Sequence, residues 1–189
     1  MPPHLKIEEP PGTSARGFAL FDLGFRPFYL LASAFAALSI PLWALQVSGI
    51  LARPYLAGPV WHAHEMVFGF TLAVIVGFLF TAGRNWTNLP TPMGWKLFGL
   101  AALWISARIL VLTPYAIAAA VVNLAFPVAA AVGLAVPFVK ARNRRNYFFI
   151  VLLMLLAIAA GPVHLALFVI VTIPTRAGLQ GPLDALFCI

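Results

Sequence analysis

Apolar stretches separated by short polar connections divide the sequence into helix-length segments. They lie at residues 27–50, 59–83, 95–112, 115–139 and 147–167. A helix needs about 20 apolar residues to cross the hydrocarbon of a bilayer. No stretch alternates apolar and polar residues as a membrane β-strand must. The pattern therefore predicts an all-α, polytopic transmembrane bundle, with a partial sixth helix at 168–189 that Pro174 and Gly181 interrupt.

The composition supports an integral membrane protein. Hydrophobic residues make up 62% of the chain and charged residues 9%, with a mean hydropathy of +0.98, whereas a soluble domain is about 45 to 50% apolar. Residues 1–24 are predicted to form a polar tail without the apolar core of a signal peptide, and residues 25–189 a single transmembrane domain. The single cysteine, Cys188, excludes an internal disulfide and a cysteine-rich metal site.

Positive charges predict the orientation of the bundle. Residues 140–145 contain four cations in six residues, and such loops face the cytoplasm. Counting back through the helices places the N-terminal tail and the loop after residue 83 on the same side. The net charge of +7 belongs to this pattern, so membrane lipid is the expected partner and nucleic acid is excluded. The bacterial inner membrane is the expected location.

The sequence WHAHEM at residues 61–66 places ionisable side chains at the outer end of the second apolar stretch. Such groups are costly inside a membrane and mark functional sites. The topology brings His62, His64 and His164 to the same external layer. Imidazole and thioether groups are metal ligands, so these histidines and Met66 are the candidate ligands. The alternative is that the histidines are solvated at the interface.

The spacing of the two neighbouring histidines limits what they can bind together. Residues two positions apart on a helix point in nearly opposite directions. His62 and His64 can therefore share one metal ion only if residues 61–64 are not helical. A zinc protease is excluded, because its helical motif would need a histidine at position 68, where the chain has Phe68.

Two isolated charges, Glu65 and Arg108, lie at similar depths in their predicted helices. Unpaired charges are expensive at such depth, so the sequence predicts an ion pair that supports the site. The alternative is that Arg108 extends its guanidinium to the interface. Asn123 and Gln46 are expected to form interhelical hydrogen bonds.

Four short motifs make the sequence similar to a known protein family. They are WHAHEMVFGF at 61–70, FRPF at 25–28, NWT at 85–87 and RNRRNY at 142–147. Together they resemble the signature of the NnrS family of bacterial inner-membrane proteins. The resemblance implies a haem- and copper-containing protein linked to denitrification and to relief of nitric oxide stress. Members are about twice as long and correspondingly richer in helices, so this chain is similar to their N-terminal half.

The leading hypothesis is therefore a haem- and copper-binding membrane protein of nitric oxide metabolism or nitrosative stress resistance. A second hypothesis is a transporter or assembly factor that uses Glu65 and the histidines as a proton relay. A third is an N-terminal fragment without function. The residues do not decide between catalysis and binding, and a homo-oligomer and a separate C-terminal half are both open as partners.

The topology can be tested with single introduced cysteines. We expect Ala52→Cys and Asn143→Cys to react with a membrane-impermeant thiol reagent from opposite faces of the membrane, because the cationic loop stays in the cytoplasm. The measurement is labelling of intact cells and of inverted vesicles in a Cys188→Ser background. Labelling of both positions from outside intact cells would contradict the predicted orientation.

Overall fold

The computed structural model describes residues 19–51, 56 and 58–176, which contain helices and turns but no strand. Five long helices follow one another in this part of the chain. They are α1 (Phe25–Val47), α2 (Gly58–Thr87), α3 (Trp95–Val111), α4 (Ala116–Lys140) and α5 (Tyr147–Arg176). Short 3-10 turns precede α1 and α5. The all-α bundle predicted from the sequence is confirmed.

Several helical segments have the length and hydropathy of membrane spans. Within the described residues these are Phe25–Val47, Gly58–Thr87, Ala116–Lys140 and Arg144–Gly161. The remaining helix, α3, has 17 residues and buries one face that includes Trp104 and Arg108. These spans make the protein a helical membrane protein.

Helix α2 is longer at its C-terminal end than the sequence pattern predicts. It continues beyond residue 83 to Thr87, and Asn88 then adopts a left-handed conformation with φ 52° and ψ 27°. A left-handed residue commonly ends a helix because it turns the chain away from the helical path. Arg84 and Asn85 therefore lie in the last turn of α2 and not in a loop. Polar side chains at a membrane interface do not by themselves end a helix.

Helix α5 begins at Tyr147, as predicted, and continues to Arg176. Residues 168–176, predicted as the start of a partial sixth helix, thus extend α5. The physical reason is that residues 168–173, apolar apart from Thr172, contain no glycine or proline that would end the helix. The expectations for 177–189 and for 1–18 lie outside the described residues.

Aromatic rings join α1, α2 and α4 at the centre of the bundle. The ring centroid of Phe28 lies 6.4 Å from that of Phe80 and 5.7 Å from that of Phe126. All three side chains are fully buried. On the other side of this core, α4 packs against both α3 and α5. A dry apolar layer therefore fills the bundle between the two membrane faces.

Gly83 lets α2 and α4 approach each other closely. A Cβ atom at this position would lie 2.9 Å from Leu134 Cδ1 and 3.2 Å from Phe138 Cε1. The position has no room for a side chain without movement of its neighbours. Gly99 in α3 is the opposite case, because a Cβ atom there would meet nothing within 4 Å.

These two glycines predict different effects of the same substitution on the free energy of unfolding. In Gly83→Ala it should be about 1 kcal/mol lower than in Gly99→Ala, because the new Cβ atom must displace the Leu134 side chain. Gly99→Ala should raise it by about 0.5 to 1 kcal/mol, because alanine favours the helix. Thermal unfolding in detergent, followed by circular dichroism, measures both. Equal changes in the two variants would mean that α2 and α4 are not in close contact at Gly83.

Candidate functional site

A buried carboxylate lies at the centre of the candidate site. Glu65 is 1% exposed, and each of its oxygens has a partner. Nδ1 of His64 lies 2.9 Å from Oε1, and Nη1 of Arg108 donates to Oε2 at 2.8 Å. An ionised carboxylate only accepts hydrogen bonds, so the His64 proton belongs on Nδ1. In an imidazole with this single proton, Nε2 is the acceptor. The predicted ion pair of Glu65 with Arg108 is present.

Arg108 is fixed by contacts from two helices. Its Nη2 donates to Oδ1 of Asn123, whose own Nδ2 donates to the carbonyl of Ala119 at 2.8 Å. The guanidinium carbon also lies 5.7 Å from the centre of the Trp104 ring, within the range of a cation–π interaction. Arg108 therefore stays in the bundle and does not extend to the interface. The expected interhelical role of Asn123 is confirmed.

The backbone of α2 changes geometry where the site is built. Residues Glu65–Thr71 form a π-helical segment inside the longer α-helix, a feature often found at functional sites. The carbonyl of Gly69 in this segment accepts a hydrogen bond from Nε1 of Trp104 at 3.1 Å. The segment is thereby tied to α3.

Gly69 provides the space in which the ion pair forms. A Cβ atom at this position would lie 2.8 Å from Nη1 of Arg108, 2.8 Å from the Phe35 ring and 3.0 Å from Oε2 of Glu65. Any larger residue would enter the contact between guanidinium and carboxylate. Glycine is therefore a requirement of the site, not only of helix packing.

His164 completes the arrangement from α5. Its Nε2 lies 3.1 Å from Nε2 of His64, and the two rings are inclined by 70° with centroids 4.8 Å apart. The expected convergence of His164 with His64 is thus present. We call His164, His64, Glu65, Arg108 and Asn123 the polar network.

His62 stands apart from the polar network. Helix α2 is already helical from Gly58 to His64, so His62 and His64 point in different directions and cannot share one metal ion. The His62 ring instead stacks on Trp43, with centroids 4.7 Å apart and planes inclined by 15°. Met66 packs against the apolar core. His4 lies outside the described residues.

In the part of the chain that the structure describes, no group of three or more His, Cys, Asp or Glu side chains is arranged to hold a metal ion. The polar network does bring two imidazole nitrogens together, because Nε2 of His64 and Nε2 of His164 face each other at 3.1 Å.

Sequence reasoning did not find Gly69, Trp104 or the π-helical segment. A glycine four positions after the only charge of α2's apolar stretch was a usable signal, because that spacing places both on one helix face. The indole of Trp104 gave no signal, since aromatic residues are common in apolar helices. The sequence contains no pattern that predicts a π-helical turn.

The fold and the site together define a class: a polytopic helical membrane protein with a buried histidine, carboxylate and guanidinium network. The chain belongs to the NnrS family, whose description is "NnrS protein" and which matches residues 19–189. Membership supports a nitric-oxide-related membrane protein at the level of the family. No curated protein and no solved structure matches the chain.

The ion pair predicts an order of damage among three variants. Glu65→Leu should destabilise most, by about 3 to 5 kcal/mol, because it leaves a buried guanidinium that cannot lose its proton. Arg108→Leu should cost less, because an isolated carboxylate can take up a proton. The double variant should cost least, since it removes both charges. Thermal stability in detergent tests this order, and strictly additive losses would mean that the two side chains do not interact.

Proposed function

We propose that the protein binds copper and haem in the membrane and acts in nitric oxide metabolism or in resistance to nitrosative stress. Family membership supports the link to nitric oxide, and the resemblance of the WHAHEMVFGF motif implies the two cofactors. The observation that carries the proposal is the facing pair of imidazole nitrogens, His64 Nε2 and His164 Nε2, 3.1 Å apart.

The His64 and His164 pair fits a single copper ion. Imidazole nitrogens bind such ions at about 2 Å, so two neighbouring ligands of one ion lie about 3 Å apart. The observed separation has this value. Imidazole is also a preferred ligand of copper. Copper bound there would supply a redox-active centre with coordination positions for a small ligand such as nitric oxide.

The same pair does not fit the two axial positions of one haem. Axial nitrogens on opposite sides of an iron lie about 4 Å apart, because each bond is about 2 Å long. The two rings are also 4.8 Å apart between centroids, which leaves no layer for a porphyrin. His62 is the remaining described histidine for a haem, and stacking on Trp43 fixes the plane of its ring.

Glu65 and Arg108 prepare His64 for binding. The carboxylate holds the proton on Nδ1 of His64, which leaves the electron pair of Nε2 directed at His164. Arg108 and Asn123 in turn hold the carboxylate in place. A histidine ligand whose other nitrogen donates to a carboxylate is a recurring arrangement in metal sites.

A second candidate function is proton transfer, as in a transporter or an assembly factor. The polar network itself favours it, because hydrogen bonds run without interruption from His164 through His64 and Glu65 to Arg108. A purified protein without haem or copper absorption, together with pH-dependent flux, would favour this function over metal binding.

The proposal includes an orientation in the bacterial inner membrane. The cations at the Arg84 end of α2 and in the 140–145 loop support a cytoplasmic position for that end. The Gly58 end of α2, with the histidines, then faces outward.

Copper content tests the proposal directly. Purified protein reconstituted with copper should lose most of its bound metal in His64→Ala and in His164→Ala. Glu65→Gln should weaken copper affinity by about 10 to 100-fold, because it removes the support of a ligand. The measurements are metal analysis and the visible spectrum in detergent, with His4→Ala as the control. Unchanged copper content in both histidine variants would contradict the proposed site.

A further inference from the structure

Several buried nitrogen atoms on α1 and α2 have no hydrogen-bond partner among the described residues. They are Trp43 Nε1, Gln46 Nε2, Trp61 Nε1 and His62 Nδ1. We call these four atoms the nitrogen cluster. All belong to the last turns of α1 or the first turns of α2, at the Gly58 end of the bundle.

Contacts between α1 and α2 place the nitrogen cluster along the interface of these two helices. Gln46 Oε1 accepts a hydrogen bond from the Gly58 backbone at 3.1 Å, which forms the outer contact. One turn further in, the ring of Trp43 stacks on that of His62. Trp43 and Gln46 are three positions apart and therefore share a helix face. Trp61, next to His62, is buried in the same region.

The chemistry of the nitrogen cluster favours water as its occupant. Leaving a buried donor without a partner costs the free energy of desolvating that donor. Proteins meet this cost with ordered water, which forms about three hydrogen bonds at such sites. The indoles and the amide nitrogen only donate, whereas an imidazole nitrogen can accept. Water can accept hydrogen bonds from the indole and amide nitrogens and donate one to an imidazole nitrogen.

An anion is the less suitable occupant. It would satisfy the donors but would need a cation to offset its charge in an apolar layer. An anion also cannot donate, so it would leave an accepting imidazole nitrogen without a partner. A neutral occupant that both donates and accepts therefore fits better.

The two sides of the polar network differ in polarity. Toward the Gly58 end, the nitrogen cluster reaches His62, two positions before His64. Toward the Arg84 end, the next layers are apolar and fully buried. They comprise Phe28, Leu72, Ala73, Val76, Phe80, Phe126 and Leu134. The Gly58 end thus combines these nitrogen atoms with a small apolar cluster around Trp61, whereas the described layers toward the Arg84 end are apolar throughout.

We propose that the nitrogen cluster holds ordered water and forms the aqueous entrance to the polar network. Protons and small polar molecules then reach His64 from the Gly58 end of the bundle and not from the Arg84 end. This inference rests on the arrangement of the protein atoms and does not depend on a bound metal.

The first test uses the native protein and its own internal control. Nε1 of Trp104 donates to the carbonyl of Gly69, whereas the indole protons of Trp43 and Trp61 would contact water. In ¹⁵N-tryptophan-labelled protein in lipid nanodiscs, the indole protons of Trp43 and Trp61 should exchange with deuterium at least about tenfold faster than that of Trp104, because exchange follows local access to water. Exchange of all three at the same slow rate would overturn the proposal.

The second test measures the side of access. Phe68 is buried, and its ring lies 4.9 Å from that of His64. In a Cys188→Ser background, Phe68→Cys should react with a membrane-impermeant thiol reagent only from the side that labels Ser48→Cys, an exposed position at the Gly58 end. Lys96→Cys marks the opposite side. Reaction of Phe68→Cys from the Lys96 side, or from neither side, would overturn the proposal.

Two further variants connect the access route to the nitrogen cluster. His62→Phe should slow labelling of Phe68→Cys by about tenfold or more, because an apolar ring displaces ordered water. Leu38→Phe, at a position 60% exposed on α1, is the matched control and should leave the rate unchanged. Equal rates in the two variants would show that access does not pass through the nitrogen cluster.

Discussion

The cost of burying Glu65 constrains the rest of the structure. A carboxylate that is 1% exposed in an apolar bundle must be paired and hydrogen-bonded, because an isolated ion would lose several kcal/mol of hydration. Arg108 and His64 meet that requirement from two sides. Each partner then needs support of its own, which Asn123 provides for Arg108 and His164 for His64. The network therefore joins side chains from α2, α3, α4 and α5.

The local backbone adapts to this network. The ion pair needs the space above Gly69, where a Cβ atom would touch both partners. The π-helical turn Glu65–Thr71 presents the Gly69 carbonyl to Trp104, which also lies against Arg108. Backbone geometry, a glycine and an aromatic ring therefore serve one purpose, which is to hold a charge pair in a dry layer.

The sequence was sufficient for those features that depend on depth in the membrane. Apolar stretches predicted the helices, and counting residues from the helix ends placed Glu65 beside Arg108, and His164 near His64. The direction in which a side chain points around the helix axis was harder to predict, because it depends on which helices pack against that face. The sequence left open whether His62 and His64 can bind one metal ion together. The regular helix at Gly58–His64 points the two side chains in different directions. The π-helical turn arises from tertiary contacts and has no local signature.

A direct measurement of the contact between Glu65 and Arg108 tests the central claim. Among the described residues Glu65 is the only glutamate, so a carboxyl signal from this part of the chain belongs to it. Solid-state NMR of protein labelled with ¹³C-glutamate and ¹⁵N-arginine in lipid bilayers reports on the distance between the two groups. We predict a strong through-space correlation between the glutamate carboxyl carbon and a guanidinium nitrogen, which disappears in Glu65→Gln. Absence of that correlation in the folded native protein would contradict the account.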